Sequence, residues 1–230
     1  MALHLQTFKT RTITAIIFAL VMLAGLLFSV WGFVILFTII HFGCWYEFVR
    51  LMKKIDPNTY LLYSVLGIFY ISMPILMMLS LGIRVYDRPE VTNELLYYPL
   101  LPCAIIFSIW INDTMAYIVG SMIGKTPFSK ISPKKTWEGT VGGAILCVFV
   151  IALLGYFLPI ANGISVKHWI AIAAICAVFG TLGDLLESKL KRIADVKDSG
   201  SFMPGHGGFL DRFDSMLIAT PFVFLYVLLV

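Results

Sequence analysis

Apolar runs about as long as a bilayer is thick recur along the chain, separated by short polar segments. They fall near residues 12–30, 31–49, 60–81, 96–120, 140–158, 167–187 and 214–230. A helix of about 20 mostly apolar residues crosses a hydrocarbon layer roughly 30 Å thick. Lipid offers no water to backbone N–H and C=O groups, so a spanning segment has to satisfy them internally. The pattern therefore predicts an all-α fold, a polytopic transmembrane bundle of about seven spans forming one integral membrane domain over residues 1–230. The fourth stretch carries Asn112 and Asp113 inside it and Pro99 and Pro102 near its start, so it reads as one span or as two shorter helices. The first follows Lys9 and Arg11 and is apolar from Ile13 to Val30. It is longer than a signal-peptide core and has no small-x-small cleavage pattern, so a retained helix is expected.

Basic residues stay on the cytoplasmic side of short loops. With the N-terminus inside, a seven-span chain leaves only Arg84, Arg88 and Lys167 outside, and fourteen of the 17 Lys and Arg inside. Adding or removing a span before residue 125 would break this segregation.

Composition agrees, with 60% hydrophobic residues, 13% charged and a mean hydropathy of +0.92, beyond the range of soluble domains. The formal charge of +4 belongs to the face where anionic head groups and nucleotides lie, and no nucleic-acid partner is expected. Cys44, Cys103, Cys147 and Cys176 are scattered through apolar runs without CxxC or CxxH spacing. They read as small buried hydrophobes rather than zinc ligands or disulfides.

Two inside segments carry candidate chemistry. The longer, near 184–214, interleaves Asp184, Glu187, Asp195, Asp198, Asp211 and Asp214 with Lys189, Lys191, Arg192, Lys197 and Arg212. Such alternation alone describes a solvated interfacial loop. Spacing adds more: Asp184 and Glu187 are three apart at the end of one apolar helix, and Asp211 and Asp214 repeat that spacing at the start of the next, so each pair shares a helix face. Four converging carboxylates are hard oxygen ligands of the kind that suit Mg²⁺ beside substrate phosphates. Between them Pro204, Gly205, His206, Gly207 and Gly208 form a turn in which successive backbone N–H groups can make an anion nest. His206 there is a candidate catalyst or a turn residue.

The shorter segment, GKTPFSKISPKKTWEGTVGG at 124–143, offers Lys125, Lys130, Lys134 and Lys135 with Thr126, Ser129, Ser132 and Thr136, a donor-rich set for phosphate. Positive-inside anchoring would also account for its lysines. GSMIGKT at 120–126 has three residues between its glycines where a P-loop needs four, and it follows a helix where a strand is required, so the P-loop is rejected. Asn112 and Asp113 lie at membrane depth. A bundle hydrogen bond explains Asn112, and Asp113 is a site candidate because ionisable groups there are costly. Glu47, at the end of the second span, reads as interfacial. Trp31, Trp45 and Trp137 are expected at the membrane interfaces.

Residues 188–214, SKLKRIADVKDSGSFMPGHGGFLDRFD, resemble the signature of phosphatidate cytidylyltransferases (CDP-diacylglycerol synthases) without a gap. Ser188, Lys191, Arg192, Lys197, Asp198, Pro204, His206, Gly207, Gly208, Asp211, Arg212 and Asp214 match its fixed positions. NDTMAYIVGSMIGK and SPKKTWEGTVGG are also similar to the family, which extends the likeness over 112–214. The resemblance implies transfer of a cytidylyl group from CTP to phosphatidate in phospholipid biosynthesis, with Mg²⁺ (or Mn²⁺) and a monovalent cation such as K⁺, in a homodimer of the bacterial inner membrane whose site faces the cytoplasm. It implies Asp184 and Asp211 as metal carboxylates, supported by Glu187, Asp198 and Asp214. Lys191, Arg192, His206 and Arg212 complete its catalytic set, and Lys125, Ser132, Lys134, Lys135, Lys197, Gly207 and Gly208 become candidate phosphate contacts. Relatives often carry more N-terminal spans, which leaves the span count and the lipid-entry path open.

Two other classes use similar residues. A CTP-dependent lipid kinase would release CDP instead of pyrophosphate. An ion-coupled transporter would place its ionisable groups near the midplane and often repeat its halves; here most lie in one loop, and no repeat is visible.

Overall fold

The computed structural model describes residues 5–88, 91–203 and 207–230, with side chains at 12–83, 96–161, 163–203 and 207–230. The chain divides into two compact units, Met1–Pro99 with Leu190–Phe213, and Leu100–Lys189 with Asp214–Val230.

In the first unit, α1 (Leu5–Leu27) and α2 (Val30–Ile55) form a helical hairpin. The Ser29 side chain caps α2 by accepting the Gly32 N–H at 3.0 Å, meeting one of the donors that the first helical turn leaves without a partner. The two helices are close enough that a Cβ on Gly25 would lie 2.6 Å from Leu36 Cδ2. The next apolar stretch is broken into α3 (Tyr60–Ser64), a π-helical turn (Ile68–Ser72) and α4 (Met73–Gly82). Pro74, in the first turn of α4, has no N–H to give to the preceding turn, and the Met73 N–H bonds Ile68 C=O, five residues back. His41 Nε2 and Trp45 Nε1 both reach Ser72 Oγ at 2.9 Å and tie that turn to α2. Trp45, expected at a membrane interface, thus uses its polar tip inside the unit. A two-stranded antiparallel hairpin, β1 (Ile83–Arg88) and β2 (Val91–Tyr97), follows, with Ile83 opposite Tyr97 and Val85 opposite Leu95. Met22, Leu26, Phe33, Phe37, Ile40, Ile71 and Met78 make the core of the unit.

In the second unit, α5 (Leu100–Ile123) is one unbroken helix, which resolves the ambiguity of the fourth stretch. It starts at 100 rather than 96 because the residue before a proline is pushed out of helical conformation, whereas Pro102 sits in the first turn, where proline is tolerated. α6 (Trp137–Phe157) packs on α5 through small residues. A Cβ on Gly143 would lie 2.6 Å from Ala116 Cα, and one on Gly139 would lie 2.9 Å from Gly120 Cα. Small residues let helix backbones approach in lipid, where no hydrophobic force pushes helices together. A 3₁₀ turn (Pro159–Gly163) leads on to α7 (Val166–Ile193) and α8 (Leu210–Leu229), helices that contribute residues to both units. α7 runs past the expected end at 187, so the first residues of the signature are helical rather than loop. The four cysteines are all free and buried, as small apolar residues would be.

Six helical segments among the described residues are long and apolar enough to cross a membrane: Val30–Ile55, Tyr60–Gly82, Leu100–Ile123, Trp137–Phe157, Val166–Ile193 and Leu210–Leu229. The stretch expected first is represented by α1, whose apolar part Thr12–Leu27 is shorter. Large apolar side chains such as Phe42, Phe69, Ile145 and Phe149 are exposed on these helices, a surface that hydrocarbon solvates and water does not. The protein is an all-α membrane protein with one small hairpin.

Candidate active site

The polar residues of the second unit converge on a cavity of about 460 Å³. α5 supplies Asn112, Asp113 and Gly120 to its wall, the segment before α6 supplies Ser132, Lys134, Lys135 and Thr136, and α7 supplies Thr181 and Asp184. The helix period explains the α5 set, since residues three or four apart share a face. Asn112 is 4% exposed; its Nδ2 donates to Asp113 Oδ1 at 3.5 Å, and its buried Oδ1 accepts no hydrogen bond from the described residues. The hydrogen bond of Asn112 thus runs to its own neighbour along α5 rather than across the bundle, and it occupies only the amide N–H₂.

The lysine segment is an ordered turn. The Thr136 side chain caps α6 by accepting the Gly139 N–H at 3.1 Å. The Glu138 carboxylate reaches back to the Lys125 and Thr126 N–H groups, each at 3.2 Å. Phe128 N–H donates to Lys135 C=O at 2.8 Å, and the Phe128 and Trp137 rings meet edge to face with centroids 4.5 Å apart. These bonds present Lys134 and Lys135 to the cavity, while Lys125 is exposed and outside its wall. Lys135 forms an ion pair with Asp184. Burial pulls its ammonium below the ordinary lysine pKa, and the carboxylates of Asp113 and Asp214 oppose that shift.

Asp184, Glu187 and Asp214 form the one group of carboxylates among the described residues whose oxygens, all within 4.8 Å of one another, could hold a metal ion. Glu187 is fully buried and Asp214 is 7% exposed. Glycine makes the cluster possible: a Cβ on Gly183 would lie 2.5 Å from Asp214 C=O, so the backbones of α7 and α8 meet where the three acids sit. Hard anionic oxygens packed this closely suit a small divalent cation.

The signature residues from Leu190 to Phe213 lie in the first unit. Asp211 is held there: its Oδ1 accepts from Lys191 Nζ at 2.6 Å, and its Oδ2 accepts the N–H groups of Ser199 at 2.9 Å and Gly208 at 2.8 Å. Gly207 has φ of +86°, a conformation that a side chain would strain. Arg192, Lys197, Asp198 and Arg212 are exposed. Asp198 borders a smaller pocket of about 160 Å³ with Arg50, Lys54 and Ser199. His206, with Pro204 and Gly205, lies outside the described residues.

The model of the cytidylyltransferase family matches residues 94–230. The chain belongs to that family. It is 36% identical over 204 residues to a phosphatidate cytidylyltransferase of Staphylococcus aureus (strain COL), covering 85% of this chain and 76% of that one. It is 43% identical over 130 residues to the phosphatidate cytidylyltransferase of Bacillus subtilis (strain 168), covering 56% and 46%. Over 116 residues it is 41% identical to "Phosphatidate cytidylyltransferase 4, chloroplastic" of Arabidopsis thaliana, covering 50% and 29%.

One polar residue of consequence lies before the family match. Glu47 in α2, read from sequence as interfacial, is 3% exposed. It accepts hydrogen bonds from Ser199 Oγ at 2.6 Å, Phe209 N at 3.0 Å and Leu210 N at 2.9 Å. The burial corrects the sequence reading. A lone acid in an otherwise apolar helix stretch carries no periodic signal, and its partners lie more than 150 residues away. The N–H groups of Phe209 and Leu210, beside the expected anion nest, are thus taken by the chain's own carboxylate.

Proposed function

We propose that this chain transfers the cytidylyl group of CTP to phosphatidate, giving CDP-diacylglycerol and pyrophosphate for phospholipid synthesis. The observation that carries the reading is the cavity where Lys134, Lys135 and Ser132 face the Asp184 carboxylate, in a chain of this family and with relatives of that name. In the reaction an anionic phosphate oxygen of phosphatidate attacks the α-phosphorus of CTP, the new P–O bond forms as the α–β P–O bond breaks, and pyrophosphate leaves. The nucleophile is already charged, so a strong base is unnecessary. The site has to neutralise the triphosphate and align donor with acceptor.

The donor set of Asp184, Glu187 and Asp214 supports Mg²⁺ as the ion, with Mn²⁺ as a substitute. A divalent ion supplies Lewis acidity and a template for the phosphoryl oxygens. The chain's own groups would do the rest. Lys134 and Lys135 would hold phosphate oxygens, the Asn112 amide oxygen would accept from a donor of the nucleotide, and the Thr136 cap with Glu138 would keep the lysine turn in place. Asp211, Lys191, Arg192, Asp198, His206 and Arg212 enter on the strength of the signature, as does K⁺ as a monovalent partner. Seven spans with the N-terminus and the site facing the cytoplasm is the arrangement that the distribution of basic residues supports, and a homodimer in the bacterial inner membrane enters on the strength of the signature.

The test is product analysis with purified protein, CTP, phosphatidate and Mg²⁺. Pyrophosphate and CDP-diacylglycerol are expected, and both should disappear with EDTA and return with added Mg²⁺. Release of CDP with no CDP-diacylglycerol would replace this reading with a CTP-dependent kinase.

A further inference from the structure

We propose that Glu47 is a positioning residue for the reaction. From a helix that precedes the family's matched region, it fixes the signature loop between Ser199 and Leu210, and through Ser199 it sets the orientation of Asp211. This inference rests on the cytidylyl-transfer reading for its catalytic consequence but not for its structural content.

The Glu47 carboxylate stands at the N-terminus of α8. Its Oε1 accepts Phe209 N–H at 3.0 Å and its Oε2 accepts Leu210 N–H at 2.9 Å, donors that have no acceptor inside the helix. The helix dipole favours an anion at that place. The same Oε2 accepts Ser199 Oγ–H at 2.6 Å. One carboxylate therefore ties down both ends of the loop, and none of its three donors is a cation.

Ser199 carries the effect to Asp211. Its Oγ is also 2.9 Å from Asp211 Oδ2, but a hydroxyl has one proton, and the shorter contact assigns it to Glu47. Ser199 then meets Asp211 in two other ways: its N–H donates to Oδ2 at 2.9 Å, and its Oγ accepts the Asp211 N–H at 3.3 Å. Losing Glu47 frees that proton to swing to Asp211 and releases the start of α8, which moves the carboxylate that Lys191 and Gly208 also hold.

A second, independent observation concerns the signature itself. A Cβ on Gly200 or on Gly208 would collide with the Glu47 carboxylate. Two of the loop's small positions are thereby accounted for by a side chain outside the signature. The N-terminal helices do more than anchor the chain, since α2 supplies the buried group around which the loop closes.

The experiment uses the full chain in detergent micelles with Glu47→Gln, which keeps the size but turns one acceptor into a donor facing N–H groups. The expected result is a fall in kcat of about 10²-fold, the cost of a small misplacement at a reacting centre, with KM for CTP changed less than about threefold and a melting temperature that is lowered, as a buried donor facing N–H groups requires, but stays above the assay temperature. Ser199→Ala should lower kcat on its own and add little in the Glu47→Gln background, because coupled residues are not additive. Hydrogen exchange should speed up at Ser199, Gly208, Phe209 and Leu210 and stay unchanged in α5 and α6. A kcat within twofold of wild type would overturn the proposal, as would fully additive effects or unchanged loop exchange. If the wild-type chain makes no pyrophosphate at all, the functional reading fails while the exchange measurement still decides whether Glu47 holds the loop.

Discussion

Asp184 is the residue on which most of the candidate site depends. It pairs with Lys135, borders the cavity and belongs to the buried cluster with Glu187 and Asp214. Asp184→Asn keeps the shape and removes the charge, so the loss should exceed the 10- to 100-fold typical of groups that merely support metal ligands. A drop of more than about 100-fold in kcat/KM is expected, with a rightward shift in the Mg²⁺ concentration for half-maximal pyrophosphate release. An unshifted Mg²⁺ titration would remove Asp184 from the metal set. The sequence brought Asp184, Glu187 and Asp214 forward because i, i+3 acids at apolar helix ends are rare and costly. Asp211 came forward equally, yet the structure engages its carboxylate with Lys191, Ser199 and Gly208. Spacing along a helix tells which residues share a face and says nothing of what that face meets.

At the scale of elements, the helix pair α5 and α6 forms the frame of the cavity, since Asn112, Asp113 and Gly120 stand on one and Thr136, Gly139 and Thr140 at the start of the other. Their approach depends on glycine. Gly143→Leu would drive a side chain into the Ala116 backbone, and because overpacking a tight contact costs about 1–3 kcal/mol or more, the helices should separate. The expected outcome is a lower melting temperature together with weakened CTP binding, measured by titration calorimetry; an unchanged affinity would mean that the cavity does not need this contact. Helix existence was legible here from hydropathy alone. The breaks were less so: the fourth stretch, with its polar pair and prolines, is continuous, and the third, which looked uniform, contains the π-helical turn before Pro74. Polar residues inside a spanning helix cost burial rather than helicity, whereas Pro74, deep in the Tyr60–Gly82 segment, has no N–H to give to the turn before it.

For the whole molecule, sidedness is the property that the basic residues foretell. In the seven-span arrangement the lysine turn faces the cytoplasm and the start of α7 faces the opposite side. With the native cysteines buried, Lys130→Cys in intact cells should resist a membrane-impermeant maleimide, and Lys167→Cys should react with it. The reverse pattern would invert the topology and put the cavity on the wrong side for cytoplasmic CTP.

Solvent, helical class, expected sidedness and family are all legible in local pattern: apolar runs of spanning length, the placement of Lys and Arg, and an unbroken signature. How those polar residues are shared out emerges from the fold alone. Lys134, Lys135, Asn112 and Asp184 meet at one cavity, Asp214 joins Asp184 and Glu187, and Glu47 leaves the interface to hold the signature loop. The reason is physical: a buried charge has to find donors wherever the fold brings them, and those donors can lie more than 150 residues away along the chain.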